Sequence, residues 1–387
     1  MGGSGKSGAV MILSCFSMKK KIVVLFPILL IAIYSKAGRI DTAYVQKFRS
    51  FFSVKTFFLN NGFHYIITPQ NNSLFTEQQL DNARVRYFAN IPPVTGVAIN
   101  INGIGLSYIF KFTNDYIDTA KTTIKSGYKQ FQLNMYGSRF GVEIAYQDYS
   151  RFYFHYKGDE TLSKKYNADI RAYQFGTSGI FIKNGKKFSY NAAFSQNQFQ
   201  KKSAGSALTV IGFKYNEISS TSLIPDSIKP YFEFPDLKSN KNYAFILQHG
   251  YAYNLVKNNF YFANALFVGV GLQSQVYNYS SFEQHKIGVP LSARAKSSAG
   301  YNGKVFFGGI YANADFAQSQ IKTFKTEQFQ YSYGLFIGLR AIIISKSKAQ
   351  LREEEKRKKE AEKEAKREAV RKIKEDKKKA ASKKRKE

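Results

Sequence analysis

Between residues 38 and 345, long segments alternate apolar and polar residues one for one, and this pattern limits the fold more than any other feature. Period-two patterning belongs to strands whose two faces meet different surroundings. In the last segment Tyr331, Tyr333, Leu335, Ile337, Leu339, Ala341 and Ile343 fall on one face. Ser332, Gly334, Gly338 and Arg340 fall on the other, with Phe336 and Ile342 as exceptions. Phe131, Leu133 and Met135 alternate with Gln130, Gln132 and Asn134. Phe140, Val142, Ile144 and Tyr146 alternate with Arg139, Gly141, Glu143, Ala145 and Gln147. Tyr243, Phe245, Leu247, Tyr251, Tyr253 and Leu255 share a face with His249, opposite Ala244, Gln248, Gly250, Ala252 and Asn254.

A soluble sandwich also alternates, so three further properties decide. The segments often run 9–14 residues, enough for a tilted membrane strand and longer than the usual globular strand. Tyrosines sit near segment ends, as interfacial girdles do. The polar face mixes Gln, Asn, Arg and Glu with Gly and Ala, which suits a wet or small-residue interior. Lipid offers the backbone no hydrogen bonds, so such strands must close into a barrel. The expected fold is all-β, a transmembrane antiparallel β-barrel of about 12 strands within a range of 10–14.

Turn chemistry supplies the count. Asn102-Gly103, Gly137-Ser138, Asn184-Gly185, Lys257-Asn258-Asn259 and Asn302-Gly303 are tight hairpin signals, because Asn and Gly tolerate positive φ. Longer polar connections lie between them, at 113–127, 157–170, 217–241, 273–290 and 317–328. Short and long connections alternate, as periplasmic turns and extracellular loops do. Eleven strands from Val94 to Ile343 and one from the 48–68 region make twelve. Even parity then requires the stretch around Gln200–Ser206 to be a bulge or extension within one long strand. Both termini would be periplasmic.

The 387 residues carry 58 Lys+Arg against 27 Asp+Glu, a net charge of +31, unevenly distributed. Residues 1–17 read as an extension upstream of a better start at Met18. Residues 18–37 read as a signal peptide: Lys19-Lys20-Lys21, the apolar Ile22–Tyr34, then Ser35-Lys36-Ala37 with cleavage after Ala37. The barrel domain occupies 38–345, with a net charge of +16. Residues 346–387, with a net charge of +10, form a Lys/Glu-rich helical or disordered tail. Its i,i+4 pairs include Glu353–Arg357, Glu354–Lys358 and Glu362–Lys366, but Leu351, Val370 and Ile373 are too sparse for a coiled-coil seam. The single cysteine, Cys15, excludes a disulfide framework and a cysteine zinc site. No apolar run of 18 or more residues follows the first 37, so the chain is not a polytopic helical membrane protein. Gly5-Lys6-Ser7 lacks the first glycine of a phosphate-binding loop.

Several segments resemble a family of Bacteroidetes-type bacteria, domain of unknown function 4421, whose members are regarded as outer-membrane barrels. The matching pieces are DTAYVQKF (41–48), YFANIPPVTGVAININGIGLSYIF (87–110), FQLNMYGSRFGVEIAYQDYSRFY (131–153) and FSYNAAFSQNQFQKKSAGS (188–206). The sequence departs from the family pattern at Asn90-Ile91-Pro92 and in its charged tail. The resemblance implies a fold and a location in the outer membrane, and no catalytic residue.

Chemistry-bearing residues are sparse. His64, His155, His249 and His285 show no metal-pair spacing, so neither metal nor cofactor is expected. The one trio worth testing for a barrel lipase is Ser203, Ser206 and His155, with His155 expected to face inward. Lys201, Lys202, Ser203, Gly205 and Ser206 suggest contact with an anion or a lipid phosphate. Inward Arg139, Arg171 and Arg340 would bias a lumen toward anions, with Glu143 opposing them. Lysine-bearing loops suit phosphorylated lipopolysaccharide, and the tail suits peptidoglycan or anionic lipid. Nucleic acid is not expected as a partner of an exported chain. The leading reading is a non-enzymatic outer-membrane barrel, either a narrow pore or an envelope structural protein. A barrel enzyme acting on envelope lipid and a soluble periplasmic β-sandwich are the alternatives.

Overall fold

Twelve antiparallel strands pair edge to edge until the sheet closes on itself. The computed structural model describes residues 40–48, 51–70, 72–111, 125–158, 165–320 and 323–342, together with 360, 362 and 363. The chain divides into two units, Met1–Ile342 and Ile343–Glu387. In the second, residues 360, 362 and 363 are helical. The expected signal peptide and most of the expected tail lie outside the described residues.

In the first unit the order is β1 (Val45–Lys47), β2 (Phe51–Pro69), α1 (Glu77–Asn82), β3 (Val85–Phe88), β4 (Val94–Ile101), β5 (Ile104–Phe110), β6 (Gly127–Tyr136), β7 (Phe140–Tyr156) and β8 (Lys165–Ile182). Then come α2 (Tyr190–Phe194), β9 (Gln198–Gln200), β10 (Ala204–Ser219), a 3₁₀ turn (Asp226–Tyr231), β11 (Leu237–Lys257), β12 (Phe260–Tyr279), β13 (Glu283–Gly288), β14 (Leu291–Asn302), β15 (Phe306–Gln320) and β16 (Phe324–Ile342). The ring runs β2, β4, β5, β6, β7, β8, β10, β11, β12, β14, β15, β16 and back to β2.

The tight turns collect at one end, here the turn end, and the longer connections at the other, the loop end. Asn102 and Gly103 have φ of 51° and 94°, the doubly positive geometry of a hairpin that follows strand twist. Asn258 supplies a third positive φ, 55°, between β11 and β12. Phe51 pairs with Ile342, so the wall begins and ends at the turn end.

One expected strand is shorter than its pattern suggested. The stretch around Gln200–Ser206 is not a bulge within a long strand; the chain leaves the wall after Ile182 and re-enters it at Ala204. The connection folds inward, carrying α2 and β9, and β9 pairs with β1. The cause is local. Residues 188–193 are buried without a break, which a wall strand alternating between two faces would not give. The Ser189 hydroxyl accepts from the Ala192 amide at 3.0 Å and starts a helix there. Parity survives because the excursion begins and ends at the same end.

Polarity reverses along the barrel. Toward the turn end the outer face is apolar: on β16, Tyr333, Leu335, Ile337 and Leu339 are each more than half exposed. From Phe329 to Leu339, at about 3.3 Å per residue and the usual tilt, the belt is roughly 25 Å tall. Toward the loop end the inner face is apolar instead, with Phe63, Tyr87, Tyr149, Phe152 and Ile170 buried in one cluster. The outer face there carries Arg86, Asp169 and Arg171, all exposed. The wall also narrows. Between β2 and β7 it passes through β4, β5 and β6 near the turn end, but through β3 alone near the loop end.

Candidate functional site in the barrel lumen

A cavity of about 290 Å³ lies within the barrel. Inward-facing polar residues make up much of its wall, beside apolar ones such as Phe57, Ile109 and Phe307, because alternation sends every second side chain of each strand to the axis. Arg294 and Lys296 on β14, Glu143 on β7, Asp315 on β15 and Lys214 on β10 make one ion network. Arg294 Nε donates to Asp315 Oδ1 at 2.8 Å and Lys296 Nζ to Glu143 Oε1 at 2.6 Å. Arg294 Nη1 lies 3.5 Å from Glu143 Oε2, and Lys214 Nζ 3.5 Å from Asp315 Oδ1. Three cations against two carboxylates leave the network net positive. Tyr136 donates its hydroxyl to Glu143 at 2.6 Å.

Beside the charges runs an amide ladder. Gln130 donates to Gln132 at 3.1 Å and Gln132 to Asn134 at 3.0 Å, one face of β6 bonded along its length. Gln147 reaches Gln130 at 3.1 Å, and Gln330 reaches Gln147 at 2.7 Å. Asn61, Gln174 and Thr177 also line the cavity with buried polar atoms that lack a protein partner. Such atoms need water or a polar solute. The chamber can hold ordered water or a small polar molecule.

The inward connection stoppers the turn end. Arg340, 2% exposed, is the central tie. Its Nη1 donates to the Gly303 carbonyl at 2.6 Å and its Nη2 to the Gln196 carbonyl and to Asn302 Oδ1. The guanidinium lies over the Phe48 ring at 3.8 Å and the Phe307 ring at 4.8 Å. Gln196, held at φ 58°, accepts from Lys55 Nζ at 3.2 Å and donates to the Tyr261 hydroxyl at 2.9 Å. A positive φ is costly for a glutamine, and these bonds hold it there. Asn191 donates to the Tyr136 carbonyl and Asn302 to the Gln198 carbonyl, each at 2.9 Å. Tyr190 carries the stopper to the ion network, accepting from Lys296 Nζ at 3.1 Å.

The residues singled out in the sequence fall in different places. Glu143 faces the lumen as expected of an inward charge, but it is held by Lys296 and Arg294. Arg340 points inward, yet its guanidinium is spent on the stopper's carbonyls. Arg139 is not in the lumen: it stands exposed in the turn before β7. Arg171 is also outside, because on β8 the even residues Ile170, Ala172 and Gln174 take the inward positions. Lys201 and Lys202 are exposed at the turn end, where Lys201 Nζ donates to the Thr42 carbonyl at 3.0 Å. They form no cradle with Ser203, Gly205 and Ser206. Ser203 accepts from the Val256 amide and Ser206 from the Asn184 amide, each at 2.9 Å, and the Gly205 carbonyl accepts from Asn184 Nδ2 at 2.8 Å.

The serine–histidine trio is not assembled. Ser203 and Ser206 stand at the turn end, whereas His155 closes β7 at the loop end. The positive φ at Arg151 and the register shift between Ser150 and Phe152 flip the alternation. His155 therefore faces outward, 5.8 Å from the Phe88 ring. Phe88 in turn neighbours His64 and Tyr153, and His64 neighbours Tyr331, in an aromatic band on the outer wall. The sequence reading did not single out Arg294, Lys296, Asp315 or Lys214. Their signal is a charge on the polar face of a strand, as in Ala293-Arg294-Ala295-Lys296.

The model of the family described as Domain of unknown function (DUF4421) matches residues 39–340. The chain belongs to this family. No curated protein matches the sequence. Among solved structures, the outer membrane protease OmpT of Escherichia coli is similar at 6% identity and a TM-score of 0.34, over 76% of this chain and 97% of that one. The beta domain of the Bordetella autotransporter BrkA shares 11% identity at a TM-score of 0.29, over 74% and 99%. A mutant of the TodX monoaromatic hydrocarbon channel shares 5% at 0.27, over 76% and 90%. The barrel of this DUF4421 chain rests on its own strand pairing.

Proposed function

We propose that this DUF4421 protein is an integral outer-membrane barrel that is closed at rest, an envelope structural protein rather than an open pore. The apolar outer belt and polar interior of the turn-end half support insertion in a bilayer. The signal-like segment at 18–37 supports export to the outer membrane. On this reading the turn end faces the periplasm, and lipopolysaccharide meets the loop-end half. The basic tail reaches toward peptidoglycan or anionic lipid.

The inward connection between β8 and β10 carries the choice of a closed barrel. It fills the turn end of the lumen and is tied to the wall through Arg340, Lys55, Asn191 and Tyr190. Planar-bilayer recording tests it. The wild-type chain should be silent. Arg340→Ala or deletion of 188–200 should give discrete steps that favour anions, as the net positive lumen requires. Open wild-type steps of the same kind would make the protein a pore instead.

A further inference from the structure

The two ends of this barrel differ in how their surface cations are balanced by acids. Among the described residues the turn end exposes nine cations. Arg139, Lys257 and Lys304 stand in tight wall turns, and Lys47 ends β1. Lys183, Lys186, Lys187, Lys201 and Lys202 flank the inward connection. One carboxylate accompanies them, Asp41, and its Oδ1 accepts from the Ala43 amide. The loop end also exposes cations, Arg86, Lys129, Arg171, Lys238 and Lys286 among them, but there acids are interspersed with the basic residues. Lys229 pairs with Asp226 at 2.8 Å, Lys325 with Glu327 at 2.7 Å, Lys241 with Glu217 at 3.8 Å, and Lys157 with Asp81.

The turn-end cations lie at a defined level. Arg139 precedes Phe140, Lys183 stands two residues from the exposed Phe181, and Lys304 precedes the exposed Val305 and Phe306. Lys257 is three residues from Phe260, the most exposed aromatic ring of β12. Cations this close to the end of an apolar belt sit where headgroups begin, and their long stems reach toward the phosphate layer. A single bound anion does not need charges on five separate turns and segments around a barrel mouth. A sheet of phosphates does.

We infer that the turn-end rim is a docking surface for anionic phospholipid headgroups, gathering them around the barrel in the leaflet its tight turns face. The inference rests on the membrane-inserted barrel proposed above. It extends the lipid-phosphate contact expected at Lys201 and Lys202 to the whole turn-end rim.

The test uses the full chain reconstituted in phosphatidylcholine–phosphatidylglycerol vesicles, re-extracted gently, with retained lipid counted by mass spectrometry. Wild type should retain phosphatidylglycerol well above its share of the vesicle, and high salt should reduce the excess. Joint replacement of Lys183, Lys186, Lys187, Lys257 and Lys304 by Gln should cut the excess about tenfold. A control set at the loop end, Lys157→Gln, Lys229→Gln, Lys241→Gln and Lys325→Gln, should leave it unchanged. Equal loss in both sets, or no excess in wild type, would overturn the inference. So would retention of anionic peptidoglycan fragments with indifference to phosphatidylglycerol. A chain that never enters the vesicles, shown by unchanged gel mobility on heating, would sink the barrel reading itself and is thereby told apart.

Discussion

Glu143 holds two cations, and removing its charge would leave Lys296 without a carboxylate partner beside Arg294 on the same strand. Breaking a buried pair from one side costs about 3 kcal/mol, because the partner's desolvation is no longer compensated. Glu143→Gln should therefore lower the unfolding free energy of the detergent-folded barrel, read from urea titration, by that amount. Adding Lys296→Met should restore part of it, and a strictly additive double variant would show that the pair is not coupled. At the loop end, Asp81 lies on α1, and the hydrogen bond from Lys157 holds its carboxyl below the ordinary 3.8. A depressed carboxyl stabilises the folded state above its ordinary value and loses that contribution as pH falls through the folded one. The pair is half exposed and should contribute about 0–1 kcal/mol. Protection of the α1 amides, referenced to intrinsic exchange at each pH, should fall on the acid side in wild type, and that step should be missing in Asp81→Asn.

At the scale of elements, alternation was legible because the apolar outer face and the polar lumen impose opposite demands on neighbouring residues. The outward face of β16 was readable residue by residue from Tyr331 to Leu339. Leu335 sits mid-belt, so Leu335→Lys should cost about 2–4 kcal/mol of folding stability, read from urea titration in lipid. Ser274→Lys, on the outer face of β12 above the belt, should change it by no more than about 0.5 kcal/mol. Equal costs at the two positions would mean the belt is placed wrongly. Phe336, an exception to the pattern, has its explanation in the fold: its ring takes the cation of Lys55 at 5.0 Å beside the stopper. The stopper itself was misread. Its residues 198–200 do form a strand, but one paired to β1, a partner no local pattern names.

For the whole molecule, the even circuit puts the first and last wall residues at the same end. Lys304→Cys at the turn end should react with a membrane-impermeant maleimide only after cells are permeabilised. Ser280→Cys, exposed in the loop between β12 and β13, should react on intact cells. The opposite result would invert the barrel and place the tail outside. Taken alone, the sequence determined that strands would form, about how many, and which face of most of them turns outward. Those facts follow from period-two polarity and turn chemistry, both local. Only the tertiary structure decided that the lumen is stoppered, that Arg340 ties the stopper, and that His155 faces away from Ser203 and Ser206. A bulge at Arg151 reverses a face, and closure of a ring brings residue 340 to residue 196. Neither event leaves a mark within a single strand's pattern.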